Sequence, residues 1–164
     1  MESPEPAGGH MISSDHELEL IGQQAKAQGL RLVATNGCFD ILHIGHIRYL
    51  RSARAFGDLL IVGINSDRSV KKLKGDNRPL NSEFIRAEAL NALRSVDYTF
   101  IFDQLTAVEF LRILKPAIYV KGGDYHLERL PEYKIVQEIG AQIEIVAYEQ
   151  GFSTTGLIER MKQL

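Results

Sequence analysis

Along the chain the apolar positions change period repeatedly, from helical spacing to short continuous runs and back. In 15–28, Leu18, Ile21 and Ala25 recur at helical spacing, and Gly29 follows as a candidate C-terminal cap. The run 30–34 reads as a buried strand that Asn36-Gly37 is expected to break. The pattern continues as helix 43–56, strand 59–64, short helix 66–73, helix 82–93, strand 98–102, helix 106–114, strand 117–120, helix 132–139, strand 142–146 and a last helix from Thr154. Gly57-Asp58 and Lys115-Pro116 are short punctuation between helix and strand. Such alternation predicts an α/β fold: a Rossmann-like, doubly wound, parallel five-stranded sheet with helices on both faces. The run Leu-Leu-Ile-Val-Gly-Ile is apolar throughout, as a strand covered on both faces should be.

In sheets of this kind ligands bind outside the carboxyl ends of the strands. The polar and glycine residues of this chain cluster where those ends are expected: 35–46 after the first strand, Asn65-Ser66-Asp67 after the second, Lys121-Gly122-Gly123-Asp124-Tyr125 after the fourth, and Gly151-Phe152-Ser153-Thr154-Thr155 after the last. The segment Thr35-Asn36-Gly37-Cys38-Phe39-Asp40-Ile41-Leu42-His43-Ile44-Gly45-His46 is the most telling. If a helix begins near His43, then His43 and His46 share a face. Gly45 between them leaves room for a ligand. Two imidazoles over a helix N-terminus, beside free backbone donors, suit a phosphate group. A single histidine there would read as packing or capping, but the pair in this context does not.

A length of 164 residues fits one domain, taken here as 13–164. Residues 1–12, with two prolines and a Gly-Gly-His-Met junction, read as a leader or appended segment expected to be disordered. A hydrophobic content of 45% with 24% charged residues is that of an ordinary globular protein. The net charge of -2 excludes a general affinity for nucleic acid or anionic membranes, so the phosphate partner should be small. No apolar run reaches membrane-spanning length, and no secretory pattern is visible; with one cysteine, Cys38, a cytoplasmic setting is expected. Cys38 lacks the support a nucleophile needs and reads as a small buried residue.

The other clusters carry two readings each. Ser66 or Asp67 can cap the short helix, and Ser153 or Thr154 the last one. Capping and binding coexist, since a Ser-Thr-Thr run at a helix start offers hydroxyls and free N–H groups to a terminal phosphate. Lys71, Lys72 and Lys74 are either a solvated helix face or a grip on a triphosphate. Gly122-Gly123 makes a turn, and Lys121 and Asp124 on either side offer a cation and an acceptor to a base or ribose.

With these residues in view, His43-Ile44-Gly45-His46 after a strand resembles the signature of the nucleotidylyltransferase superfamily, shared with class I aminoacyl-tRNA synthetases. A synthetase would need a much longer chain and a Lys-Met-Ser-Lys-Ser type loop. Residues 35–40, Asn65-Ser66-Asp67, Leu73-Lys74-Gly75 with Arg78-Pro79, 121–125 and Ser153-Thr154-Thr155 together resemble the family of adenylyltransferases that convert heptose 1-phosphate to ADP-heptose. The similarity runs over about 30–161. Glycerol-3-phosphate cytidylyltransferases are the next most similar family, but they usually carry an arginine in the stretch that here reads Tyr148-Glu149-Gln150-Gly151-Phe152. Pantetheine-phosphate adenylyltransferases typically have a proline in the turn and an arginine soon after their Ser-Thr pair, where this chain has Ile41 and Gly156.

The resemblance implies that a sugar 1-phosphate oxygen attacks the α-phosphorus of ATP in line and pyrophosphate leaves. Both reactants arrive charged, so orientation and charge stabilisation should suffice without a strong base. It assigns His43, His46 and Lys74 to catalysis. Asn36, Gly37, Cys38, Phe39, Gly45, Lys121, Gly122, Asp124, Ser153, Thr154 and Thr155 go to the nucleotide, with Lys74 and the Ser-Thr-Thr run on the β and γ phosphates. Asp40, Asp67 and Arg78 are placed on the sugar-phosphate side, the two aspartates having helix termini as their alternative. Mg²⁺ would be held mainly by the phosphates and water. The heptose family often joins its transferase to a sugar kinase, so here the kinase is expected as a separate chain. Oligomeric state is open, a homodimer being the commonest closed assembly. A nucleotide-binding sensor that transfers nothing is the alternative of another class.

Overall fold

The computed structural model describes residues 9–124, 126–147 and 151–164. Its element order is β1 (His10–Ile12), α1 (Asp15–Ala27), β2 (Leu32–Gly37), α2 (Ile44–Arg54), β3 (Leu59–Asn65), α3 (Asp67–Lys74), α4 (Glu83–Asn91), β4 (Tyr98–Phe102), α5 (Val108–Leu114), β5 (Ile118–Gly122), a 3-10 turn (Leu127–Arg129), α6 (Tyr133–Glu138), β6 (Gln142–Val146) and α7 (Thr154–Met161). The strands form one parallel sheet in the order β1-β4-β3-β2-β5-β6. The chain winds outwards from β2 through β3 to β4, then returns to the other side of β2 for β5 and β6. The direction therefore reverses between β2 and β5, whose carboxyl ends flank the crevice where such sheets bind ligands.

Period-two alternation separates two cores. On one face Leu32, Ala34, Ile61 and Tyr119 pack with Leu18 and Ala25 of α1, Phe110, Leu111 and Leu114 of α5, and Ile135 and Val136 of α6. On the other, Val33, Leu60, Val62, Ile64, Ile118 and Val120 meet Tyr49, Leu50 and Ala53 of α2 and Ala87 and Leu90 of α4. Helices thus cover both faces, as the unbroken apolar strands require.

Two details depart from the sequence expectation. The sheet has six strands rather than five. The extra one, His10–Ile12, pairs with β4 through His10↔Tyr98, Met11↔Thr99 and Ile12↔Phe100, and lies in the segment set aside as a leader; residues 1–8 lie outside the described part of the chain. Three residues are too few for a period to register. In addition, Asn36-Gly37 does not break β2. The strand runs through both, paired Asn36↔Gly63 and Gly37↔Ile64, because a full-length β3 supplies the ladder that local turn propensity would otherwise deny.

Candidate active site

The turn after β2 is shaped by its own side chains. Phe39 adopts a left-handed φ of 47°, unusual for a residue with a side chain. Its ring folds back over Gly37, so that a Cβ at Gly37 would lie 2.9 Å from Phe39 Cε2. The same ring meets His46 edge-on, with centroids 5.3 Å apart.

Behind the turn, Asp40 is buried and both its carboxylate oxygens are engaged. Oδ1 accepts from the Leu80 and Asn81 N–H groups at 2.8 and 3.0 Å, and Oδ2 from Leu80 N–H at 3.0 Å, with Arg78 Nε 3.3 Å away. Asn81 Nδ2 returns a bond to the Asp40 carbonyl at 2.7 Å. The fully buried Arg86 of α4 completes the clamp. It donates to the Cys38 carbonyl, to the Asn81 carbonyl at 3.0 Å and to Asp67 Oδ1 at 2.9 Å. Asp40, Asp67 and Arg78 therefore hold the 78–81 loop and α3 against the turn.

His43 is the N-cap residue of α2, yet its side chain makes no capping bond. It lies instead on His46, the rings 3.8 Å apart and inclined by 26°. Gly45 makes this possible, since a Cβ there would meet His43 Cε1 and Nδ1 at 3.0 Å and Phe152 Cβ at 3.1 Å. The Nδ1 atoms of both rings are buried without a hydrogen-bond partner among the described residues. Burial lowers the His43 pKa. Burial, then His43, then Lys74 bring His46 down to about 4, opposed by the nearby Ile41 backbone. Both imidazoles are thus neutral near pH 7 in the free protein.

A cavity of about 150 Å³ opens in front of His46. It is lined by Asn36, Gly37, Cys38, Phe39, Asp40, Tyr49, Lys74, Lys121, Gly122 and Thr154 as well. Ten of the residues singled out in the sequence thus converge at the β2/β5 crevice. Lys74 reaches it as the last residue of α3, and Thr154 as the first of α7, its Oγ1 3.4 Å from the Ile41 carbonyl. His43 and Gly45 stand behind His46 rather than in the lining. Ser153 caps α7, its hydroxyl accepting from Gly156 N–H at 3.0 Å, while Thr155 and Asp124 are exposed outside the cavity lining. Tyr125 and 148–150 lie outside the described residues. A larger hollow of about 440 Å³ sits at the opposite edge, among Lys26, Leu30, Pro116 and Ile139, away from the converging polar groups.

Two members were not singled out in the sequence. Tyr49 joins β2 to β5 through Thr35 Oγ1 at 2.6 Å and the Val120 carbonyl at 3.1 Å; its signal was its place one turn after His46 on α2. Arg86 had a weaker one, a cation four residues before Leu90 on the buried stripe of α4.

Residues 34–160 match the cytidylyltransferase-like family model. The chain belongs to that family. Similar to it is the bifunctional protein HldE of a Nitratiruptor species, 47% identical over 92% of this chain and 32% of that protein. HldE of Geobacter sulfurreducens is 49% identical over 83% of this chain and 28% of its own length. The chain thus spans about a third of the length of the curated relatives it matches. A crystal structure of the lipopolysaccharide core biosynthesis protein from Thermoplasma volcanium superposes with a TM-score of 0.59 at 29% identity, covering 74% of this chain and 98% of that one. Pantoate-beta-alanine ligase from Francisella tularensis, 16% identical with a TM-score of 0.59 over 95% of this chain and 73% of its own, shares the fold.

The low His46 pKa has a consequence for stability. The unfolded chain protonates this histidine near 6.5 and the native state only near 4, so between those values the unfolded state binds the extra proton. Native stability should therefore fall as pH drops from 6.5 towards 4, with this contribution constant above that window. Urea unfolding across the window reads the slope, and His46→Asn is expected to reduce it.

Proposed function

We propose that this domain transfers AMP from ATP to a sugar 1-phosphate, heptose 1-phosphate, giving ADP-heptose and pyrophosphate. The observation that carries the reading is the stacked, neutral His43–His46 pair at the head of α2, set beside the turn that follows β2, with Lys74 and Thr154 on the cavity wall. Neutral rings can enter beside an α-phosphate without desolvating a charge first, then share its developing charge through their N–H groups. Lys74 and the start of α7 would take the β and γ phosphates. Both oxygens of Asp40 are already bonded, so Mg²⁺ would arrive with the triphosphate and be held by its oxygens and water, supplying charge neutralisation there. The heptose choice is supported by the motif resemblance, by the identity to proteins named HldE, and by the likeness to a lipopolysaccharide core biosynthesis protein. The relatives' greater length and their bifunctional designation support a sugar kinase, fused or separate, as supplier of the 1-phosphate. Among the described residues no helix is long and apolar enough to cross a membrane, and the cytoplasm, where ATP is available, is the expected compartment.

Pyrophosphate release is the test, with ATP and CTP each offered heptose 1-phosphate, other sugar 1-phosphates and glycerol 3-phosphate. Release with ATP and heptose 1-phosphate is expected. Release confined to CTP with glycerol 3-phosphate overturns the reading, and nucleotide binding without release turns the domain into a sensor.

A further inference from the structure

One wall of the cavity is backed by a buried carboxylate. Lys121, near the end of β5, places Nζ 3.4 Å from Asn36 Oδ1, 3.3 Å from Tyr119 Oη and 3.9 Å from Glu132 Oε2. Glu132 directly precedes α6, and its side chain is 3% exposed. Its Oε1 accepts the Ala107 N–H at 3.0 Å, at the start of α5, while Oε2 has no hydrogen-bond partner among the described residues. A carboxylate so deeply buried is costly unless a cation stands by, and Lys121 is the cation that does. At 3.9 Å the attraction is coulombic rather than a hydrogen bond. An ammonium has three donors, and Asn36 and Tyr119 face two of them. The third is left for whatever occupies the cavity that Lys121 lines. Lys74, at the exposed end of α3, has no comparable anchor among the described residues.

We propose that Glu132 is a positioning residue: from behind the wall it holds the Lys121 ammonium aimed into the cavity at an acceptor oxygen of the substrate, and touches no substrate itself. The inference rests on the transfer reading for its activity readout. Keeping the buried charge paired also fixes Lys121 in place, because a lysine that swung away would strand the carboxylate.

The test is a double-mutant cycle on the full chain with E132Q, K121M and the two combined. E132Q retains an oxygen for the Ala107 N–H and replaces the charged Oε2 with a neutral amide nitrogen. It should lower kcat/KM about tenfold, chiefly through KM, with little change in Tm. K121M should lower both activity and Tm, since it strands Glu132. Adding E132Q to K121M should restore the lost Tm and cost no further activity. Wild-type kcat/KM in E132Q overturns the proposal. So does an equal activity loss from E132Q in both backgrounds, which would mean that Glu132 acts through the start of α5. If the wild-type chain releases no pyrophosphate, the transfer reading fails, and the thermal half of the cycle still decides whether Glu132 holds Lys121.

Discussion

Replacing His46 with alanine is expected to leave the fold intact and to lower turnover by about 10² to 10³, the usual consequence of removing one preorganised donor from a charge-stabilising site. His46 is the imidazole that lines the cavity, with His43 stacked behind it and Phe39 edge-on beside it. Its Nδ1 is buried without a partner among the described residues, so the native state carries the desolvation of that atom without a bond in return. Truncation removes that penalty along with the ring contacts. Stability should therefore change little while the chemistry suffers, the pattern expected where a strained site is kept for function. A thermal melt beside single-turnover pyrophosphate release separates the two effects. Near-normal turnover in His46→Ala would end the assignment of the histidine pair.

The largest stability effect is expected at Arg86, which stands outside the cavity lining. Its guanidinium donates to the carbonyls of Cys38 and Asn81 and to the Asp67 carboxylate, joining the turn after β2, the 78–81 loop and the first residue of α3 from a position in α4. Methionine approximates its length and offers no donor. Asp67 is partly open to water and can be rehydrated, so the cost falls mainly on the two carbonyls, at about 1–3 kcal/mol each. Breaking a buried charge network by removing one partner typically costs about 3–5 kcal/mol in total. For a domain of this size that corresponds to a fall in Tm of about 10 °C. Guanidinium unfolding of Arg86→Met should show the lowered midpoint at unchanged m. Arg86→Lys cannot make three bonds in a planar fork and should recover only part of the loss. A change below about 1 kcal/mol would mean that Arg86 does not pin the turn.

These two residues mark where the sequence was informative and where it was not. His43 and His46 were legible because their spacing, the preceding strand and Gly37 are all local, and local patterns survive folding. The sheet was legible for the same reason, its strands being apolar on both faces. The partners of Asp40 and Arg86 were not, since they lie 40 and 48 residues away and only the packed structure brings them together. Asp40 was read as orienting the sugar phosphate's hydroxyls or a helix terminus; the folded chain sets it in the cavity lining with its carboxylate on the Leu80 and Asn81 N–H groups. Ser153 caps α7 with its hydroxyl, one of the two roles read for it, while the neighbouring Thr154 reaches the cavity. β1 escaped notice because a three-residue strand has no period of its own and is defined by the Tyr98 ladder it joins.

α7 contributes Thr154 to the cavity, yet none of its residues is buried. Among the described residues its ties to the domain include the Thr154 hydroxyl on the Ile41 carbonyl, 113 positions away in sequence, and the half-buried Leu157 and Ile158. A helix with no fully buried residue opens at a lower free-energy cost than the sheet, which opens only with the whole domain. A polyanion seated between the turn and the first residues of α7 would bind the docked form alone, and so add its binding free energy to the helix's hold. Occupancy and local order of α7 would then be one equilibrium, with a bound ligand adding to the hold of its half-buried face.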